Sequence, residues 1–152
     1  MATAYIGIGS NLGNREKNLE ISLGLIREKA GAIITESEVI ESEPWGFEAD
    51  THFLNMVARL VTDLNPRALL ASLMEIETEM GRKRSSKGYQ SRIIDLDILL
   101  YDDLVIETGD LIIPHPQLHR RLFVLEPLSE IDPGLMHPVF KKTVSDLITL
   151  LK

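Results

Sequence analysis

Apolar residues recur along this chain with two different periods, and the switching between them lays out the elements. Residues 4–10 (Ala-Tyr-Ile-Gly-Ile-Gly-Ser) read as a buried strand, and Ser10-Asn11-Leu12-Gly13-Asn14 is turn chemistry. Over about 15–30 the spacing becomes helical: Leu19, Leu23, Ile26 and Ala30 share one face, with Gly31 as the stop. Residues 32–40 predict a second strand, ended by Glu43-Pro44-Trp45-Gly46. Residues 52–62 predict a third, with Leu54, Met56, Ala58 and Leu60 on one side and Phe53, Asn55, Val57 and Arg59 on the other.

Asn65-Pro66 opens a second helix, with proline at the first helical position, and Leu69, Leu73, Ile76 and Met80 form its apolar face before Gly81. Residues 82–92 read as a loop, residues 93–101 as a fourth strand, and 116–121 and 143–151 as short helices. Pro114, Pro116, Pro127, Pro133 and Pro138 punctuate the remainder. The order β-α-β-β-α-β predicts an α+β, ferredoxin-like core: an antiparallel sheet with both helices on one face, plus a C-terminal extension. With 152 residues and no linker or repeat, a single domain over 1–152 is expected.

Composition narrows the class. A chain with 44% hydrophobic and 26% charged residues is globular, not disordered. The absence of cysteine removes thiolate metal sites, thiol catalysis and disulfides. No signal peptide and no run of about 18 apolar residues is visible, so a cytoplasmic protein away from membranes is expected. The net charge of −7 argues against broad nucleic-acid binding. The charge is uneven, however. Between Met80 and Ile94 there is no acid, yet Arg82, Lys83, Arg84, Lys87 and Arg92 are all there. Such an island suits a small polyanion such as a nucleotide phosphate chain.

Directly after it comes Arg92-Ile-Ile-Asp95-Leu-Asp97-Ile98-Leu-Leu100. On a strand, Ile94, Leu96, Ile98 and Leu100 would face the helices, and Asp95 and Asp97 the other side, their α-carbons about 6.6–7 Å apart. A bare D-x-D on a strand is ordinarily solvated surface. Beside a basic loop it points instead to magnesium, which takes one or two carboxylates and substrate phosphates. Arginines from the loop would neutralise charge in phosphoryl transfer. Gly7-x-Gly9-x-x-x-Gly13 lacks dinucleotide spacing, since Leu12 stands where the third glycine belongs, and these glycines read as structural, a strand closely approached by another backbone. Trp45, Phe53, Asn55 and Phe123 together could clasp a flat heterocycle. Taken singly, each is more ordinarily a packing residue. His115 stands between two prolines, where a neutral imidazole could serve a phosphate or a base, whereas His52, His119 and His137 read as surface.

Seven segments in combination resemble the 6-hydroxymethyl-7,8-dihydropterin pyrophosphokinases of folate biosynthesis. They are Tyr5-Ile-Gly-Ile-Gly-Ser-Asn-Leu-Gly13, Ser42-Glu-Pro-Trp-Gly46, Phe53-Leu-Asn55, Glu77-x-x-x-Gly-Arg82, Arg92-Ile-Ile-Asp-Leu-Asp-Ile98, Ile113-Pro-His-Pro116 and Arg121-Leu-Phe-Val-Leu-x-Pro-Leu128. The resemblance implies a ferredoxin-like fold and transfer of pyrophosphate from ATP to the pterin hydroxymethyl oxygen, releasing AMP. It implies that Asp95 and Asp97 hold two magnesium ions and that Arg82 and Arg92 contact the transferring group. In-line displacement at the β-phosphorus needs no strong general base, though Asp97 could accept the proton. Arg84, His115 and Arg121 would hold the phosphate chain, with Glu77, Tyr89 and Ile98 also in the ATP site. Ser42, Pro44, Trp45, Gly46, Phe53, Asn55 and Phe123 would form the pterin pocket. Tyr89 stands where the family usually has Trp, Gln90-Ser91 replaces a small residue and proline, and Phe53 stands where Tyr is common. These departures bear on how the loop closes, not on which reaction is run.

The expected partners are therefore the pterin and ATP, with no nucleic acid, no membrane and no stable protein partner, and the chain is expected to be a monomer. Two rival classes are an RNA-binding ferredoxin-like module, which wants exposed aromatics in a basic field, and a regulatory module that binds a small ligand without turnover.

Overall fold

The computed structural model describes residues 1–43, 52–81 and 93–152. The described elements are β1 (Ala2–Ser10), α1 (Arg15–Lys29), β2 (Ala32–Glu36), β3 (Ile40–Ser42), β4 (Phe53–Thr62), α2 (Pro66–Glu79), β5 (Asp95–Tyr101), β6 (Ile106–Glu107), β7 (Ile112–Ile113), a 3-10 turn (Leu118–Arg120), α3 (Leu122–Ile131) and α4 (Val144–Leu151). Side-chain oxygens accept the free N–H groups at three helix starts: Asn14 for α1, Asn65 for α2 with Pro66 behind it, and Thr143 for α4 in a reciprocal pair with Asp146.

The main sheet runs β2-β4-β1-β5, with β3 also paired to β4. The pairings are antiparallel. This is the ferredoxin-like order, and α1 and α2 cover one face as predicted. Ile6, Ile8, Met56, Ala58, Leu60, Leu96 and Ile98 of the sheet pack there against Leu19, Leu23 and Ile26 of α1 and Leu69, Leu73 and Ile76 of α2.

Three local differences have physical causes. The strand expected over 32–40 is broken at Ser37, whose backbone and hydroxyl bond the backbone of Val57, and the edge resumes as β3. Leu100 does not face α1 and α2. Tyr5 pairs with Leu100 but Ile6 with Ile98, so an extra residue is inserted at Leu99. That bulge turns Leu99 and Leu100 to the opposite face and returns Tyr101 to the helix side. The run 122–131, punctuated by Pro127 in the sequence, is helical. An interior proline costs about 3 kcal/mol. Burying Val124, Leu125 and Leu128 returns about 1.5–3 kcal/mol each, so packing prevails.

The consequence is a second core. Tyr5, Val57, Leu99 and Leu100 on the far face of the sheet meet Leu118, Leu125 and Leu128 from the C-terminal part of the chain, with Val144 and Leu147 from α4. The C-terminal extension thus covers the end of that face where the bulge lies. His137, read as surface, is 4% exposed; its Nδ1 accepts the N–H groups of Val139 and Phe140 and its ring stacks on Phe140 at 4.4 Å.

Candidate active site

The end of the far face beyond α3 is where the chemistry-bearing side chains meet. Register places Asn55 of β4, Gly9 of β1 and Asp95 of β5 in one row, with Gly7 and Asp97 in another. The face alternation predicted for Asp95 and Asp97 holds, since Leu96 between them is buried among the α1 and α2 side chains. With strands about 4.8 Å apart, the Asn55 and Asp95 backbones lie about 9.6 Å apart across Gly9, which carries no side chain. That is a slot suited to a flat bicyclic ring.

The glycines form its floor. A methyl group on Gly9 would sit 3.2 Å from the Asn55 Oδ1 and 3.4 Å from the Phe53 ring, and one on Gly7 would sit 3.2 Å from the Leu99 side chain. Side-chain atoms come nearest, and at Gly9 the Leu54 carbonyl of the neighbouring backbone follows at 3.7 Å. On the β4 side the Asn55 amide donates from Nδ2 to the Ser42 hydroxyl at 2.7 Å, and Phe53 pairs with Ser42 across the strands.

A second concavity wraps the outer edge of β5. It is a cleft of about 240 Å³ with Leu70, Ile98, Leu111 and Ile112 as apolar walls and Asp97 and His115 at its polar end. Asp97 therefore stands between slot and cleft. Its Oδ1 is 3.9 Å from Nε2 of His115. The His115 Nδ1 accepts the N–H of Gln117, which leaves the proton of the neutral ring on Nε2, toward the carboxylate. Burial first, then the positive Arg121, lowers the His115 pKa to about 4, with Asp95 pulling the other way. His115 is thus neutral at pH 7 and able to donate.

Arg121 precedes the first turn of α3, 9% exposed, and its guanidinium lies 5.7 Å from the centre of the Phe123 ring. Phe123 packs against the second core from that same turn. Glu77 of α2 is 3% exposed, and its Oε2 accepts the N–H of Leu96 at 2.9 Å. The structure therefore gathers Ser42, Phe53, Asn55, Asp95, Asp97, Ile98 and His115 around one slot and cleft. Pro44, Trp45, Gly46, Arg82, Arg84, Tyr89 and Arg92 lie outside the described residues. Sequence reasoning missed the β6–β7 hairpin that walls the cleft; strands of two residues leave no periodic trace.

The donor set fits magnesium in kind. Among the described residues no three His, Cys, Asp or Glu converge. The pair of aspartates therefore offers oxygen ligands only and leaves positions for phosphate and water, as magnesium prefers.

The family model described as "7,8-dihydro-6-hydroxymethylpterin-pyrophosphokinase (HPPK)" matches residues 5–133. The chain belongs to this family. It is 42% identical over 146 residues to the 2-amino-4-hydroxy-6-hydroxymethyldihydropteridine pyrophosphokinase of Aquifex aeolicus, covering 96% of this chain and 90% of that one. The enzyme of the same name in Bacillus subtilis is 45% identical over 129 residues, covering 84% and 77%. Among solved structures, a Plasmodium falciparum HPPK-DHPS superposes with a TM-score of 0.81 at 18% identity, over 98% of this chain and 44% of that one. At that identity the likeness shows the HPPK fold, and the chain spans less than half of the fused protein. The family and the ferredoxin-like order expected from the sequence are both borne out. No helix among the described residues is long and apolar enough to cross a membrane.

Proposed function

We propose that this chain transfers a pyrophosphoryl group from ATP to the hydroxymethyl oxygen of 6-hydroxymethyl-7,8-dihydropterin, releasing AMP, in folate biosynthesis. The observation that carries the reading is the row Asn55–Gly9–Asp95 with Asp97 beside it, which sets a heterocycle slot directly against a carboxylate pair and an edge cleft. The ring lies over the glycine floor, bounded by Phe53 and Phe123, with the Asn55 amide reading its edge. The adenine base occupies the cleft between Leu70, Ile98, Leu111 and Ile112, and the phosphates run past His115 toward Asp95 and Asp97. Ser42, Pro44, Trp45 and Gly46 complete the pterin side, and Tyr89 belongs to the nucleotide side.

Asp95 and Asp97 hold two magnesium ions in this reading. Magnesium bound there supplies charge neutralisation on the phosphate oxygens and a lowered pKa for the attacking hydroxyl. The chain's own groups do the rest. Asp97 accepts the hydroxymethyl proton at a carboxylate oxygen. His115 donates from Nε2 to a phosphate oxygen, and Arg84 and Arg121 fix the chain of phosphates. Arg82 and Arg92 meet the transferring group, where planar guanidinium forks stabilise spread negative charge.

The deciding assay is AMP release from ATP, with and without the pterin. Release only with both substrates supports a transferase; binding without release would favour the regulatory module. Asp97→Asn should leave the fold intact and lower kcat by about 100-fold or more. Near-normal turnover in that variant would refute the assignment of the carboxylate pair.

A further inference from the structure

We infer that Glu77 is a positioning residue for the Asp95/Asp97 pair, acting through the backbone N–H of Leu96. Among the described strands β5 lies at the edge of the sheet and pairs with β1 alone. On such an edge every second N–H points away from the sheet. That of Leu96, the residue between the two aspartates, points outward and is taken by Oε2 of Glu77 at 2.9 Å. By the alternation of an antiparallel ladder, Asp95 and Asp97 turn their own backbone groups toward Gly9 and Gly7 of β1. The three consecutive residues are therefore held from both sides: two by the neighbouring strand, the middle one by a helix.

Glu77 sits near the end of α2, whose apolar face packs under the sheet, and it is 3% exposed. A polar side chain in such a place is costly unless it meets partners, and the Leu96 N–H is one. The bond fixes where β5 lies relative to α2 at the very residues that carry the two carboxylates. A water molecule at the edge could satisfy the Leu96 N–H equally well, but it could not hold the strand in place. Spacing and direction of two oxygen ligands determine affinity for an ion that demands near-octahedral geometry. Groups that orient ligands in this way change metal affinity 10- to 100-fold when removed.

The inference rests on the carboxylate-pair reading above, and the test separates the two. Mn²⁺ is titrated by water-proton relaxation onto the protein saturated with a non-hydrolysable ATP analogue, and AMP affinity is measured separately in EDTA. Asp95→Asn should weaken Mn²⁺ binding; if it does not, the carboxylate-pair reading fails. Glu77→Met keeps most of the volume and removes the acceptor, and Glu77→Gln keeps an acceptor oxygen. We expect Mn²⁺ affinity to fall about tenfold or more in Glu77→Met, to return to within about threefold of native in Glu77→Gln, and AMP affinity to stay within about twofold in both. Where Glu77→Met does not fold, Glu77→Asp, one methylene too short to reach Leu96, takes its place. Unchanged Mn²⁺ affinity with Asp95→Asn impaired would overturn the role of Glu77 alone. So would a loss confined to AMP, which would make Glu77 a nucleotide contact, or a Gln variant as impaired as Met.

Discussion

The side-chain amide of Asn55 is held by the hydroxyl of Ser42 at 2.7 Å, and its oxygen is turned over Gly9. The two residues sit on neighbouring strands, where Ile40 pairs with Asn55 and Ser42 with Phe53. The amide thereby presents an acceptor to whatever enters the slot, with no rotamer search at binding.

Ser42→Ala should loosen that orientation. Losing one neutral hydrogen bond costs about 1 kcal/mol, which corresponds to about a fivefold weaker pterin affinity. ATP affinity should stay within about twofold. Calorimetry with each ligand alone checks this, and equal losses for both ligands would contradict it.

Gly9→Ala tests the floor. The added methyl meets Asn55 Oδ1 and the Phe53 ring at 3.2 and 3.4 Å, both side-chain atoms able to yield a little. Stability should therefore drop by only about 1–2 kcal/mol. Pterin binding should fall more than about tenfold, because the methyl occupies the space of the ring. Thermal melts beside ligand titrations separate the two effects.

Arg67, in the first turn of α2, grips both oxygens of Asp110 at 3.0 and 2.9 Å and reaches Thr108, tying down the tip of the β6–β7 hairpin. The pair is exposed, so its removal should barely move Tm. That tip borders the cleft beside Ile98. Arg67→Ala should therefore raise the KM for ATP about two- to fivefold while leaving the KM for the pterin unchanged, by steady-state kinetics.

His137 should make stability sensitive to acid. Burial, with His119 beside it, lowers its pKa below the ordinary imidazole range. Between that lowered value and about 6.5, the unfolded chain binds more protons than the folded one. The stabilisation is thus complete above about pH 6.5 and is lost as the pH falls toward the folded value. Tm should drop between pH 7.5 and 5, and His137→Asn, which keeps an acceptor for Val139 and Phe140, should flatten that drop. An unchanged profile would assign the acid sensitivity to the other histidines.

Much of the site was readable because strand alternation is local. A period of two puts Asp95 and Asp97 on one side and Phe53 and Asn55 on one side, whatever the rest of the chain does. Helix faces such as Leu69, Leu73 and Ile76 were readable for the same reason. Leu100 was misplaced because a bulge belongs to a pair of strands, and only the pairing of β1 with β5 reveals the extra residue at Leu99. Helix α3 was hidden because Pro127 is a helix breaker in isolation, and what offsets its cost is the sheet face beneath it.

By itself, the order of residues determined the alternation of elements, the motifs that mark the family, and the carboxylate pair facing away from α1 and α2. All of these follow from periods within a few consecutive residues. Tertiary structure alone decided that Gly9 lies between Asn55 and Asp95, that His115 meets Asp97, and that Glu77 reaches Leu96 from α2. Those contacts join segments distant along the chain, and their geometry exists only once the strands have chosen neighbours and the two cores have closed on the sheet.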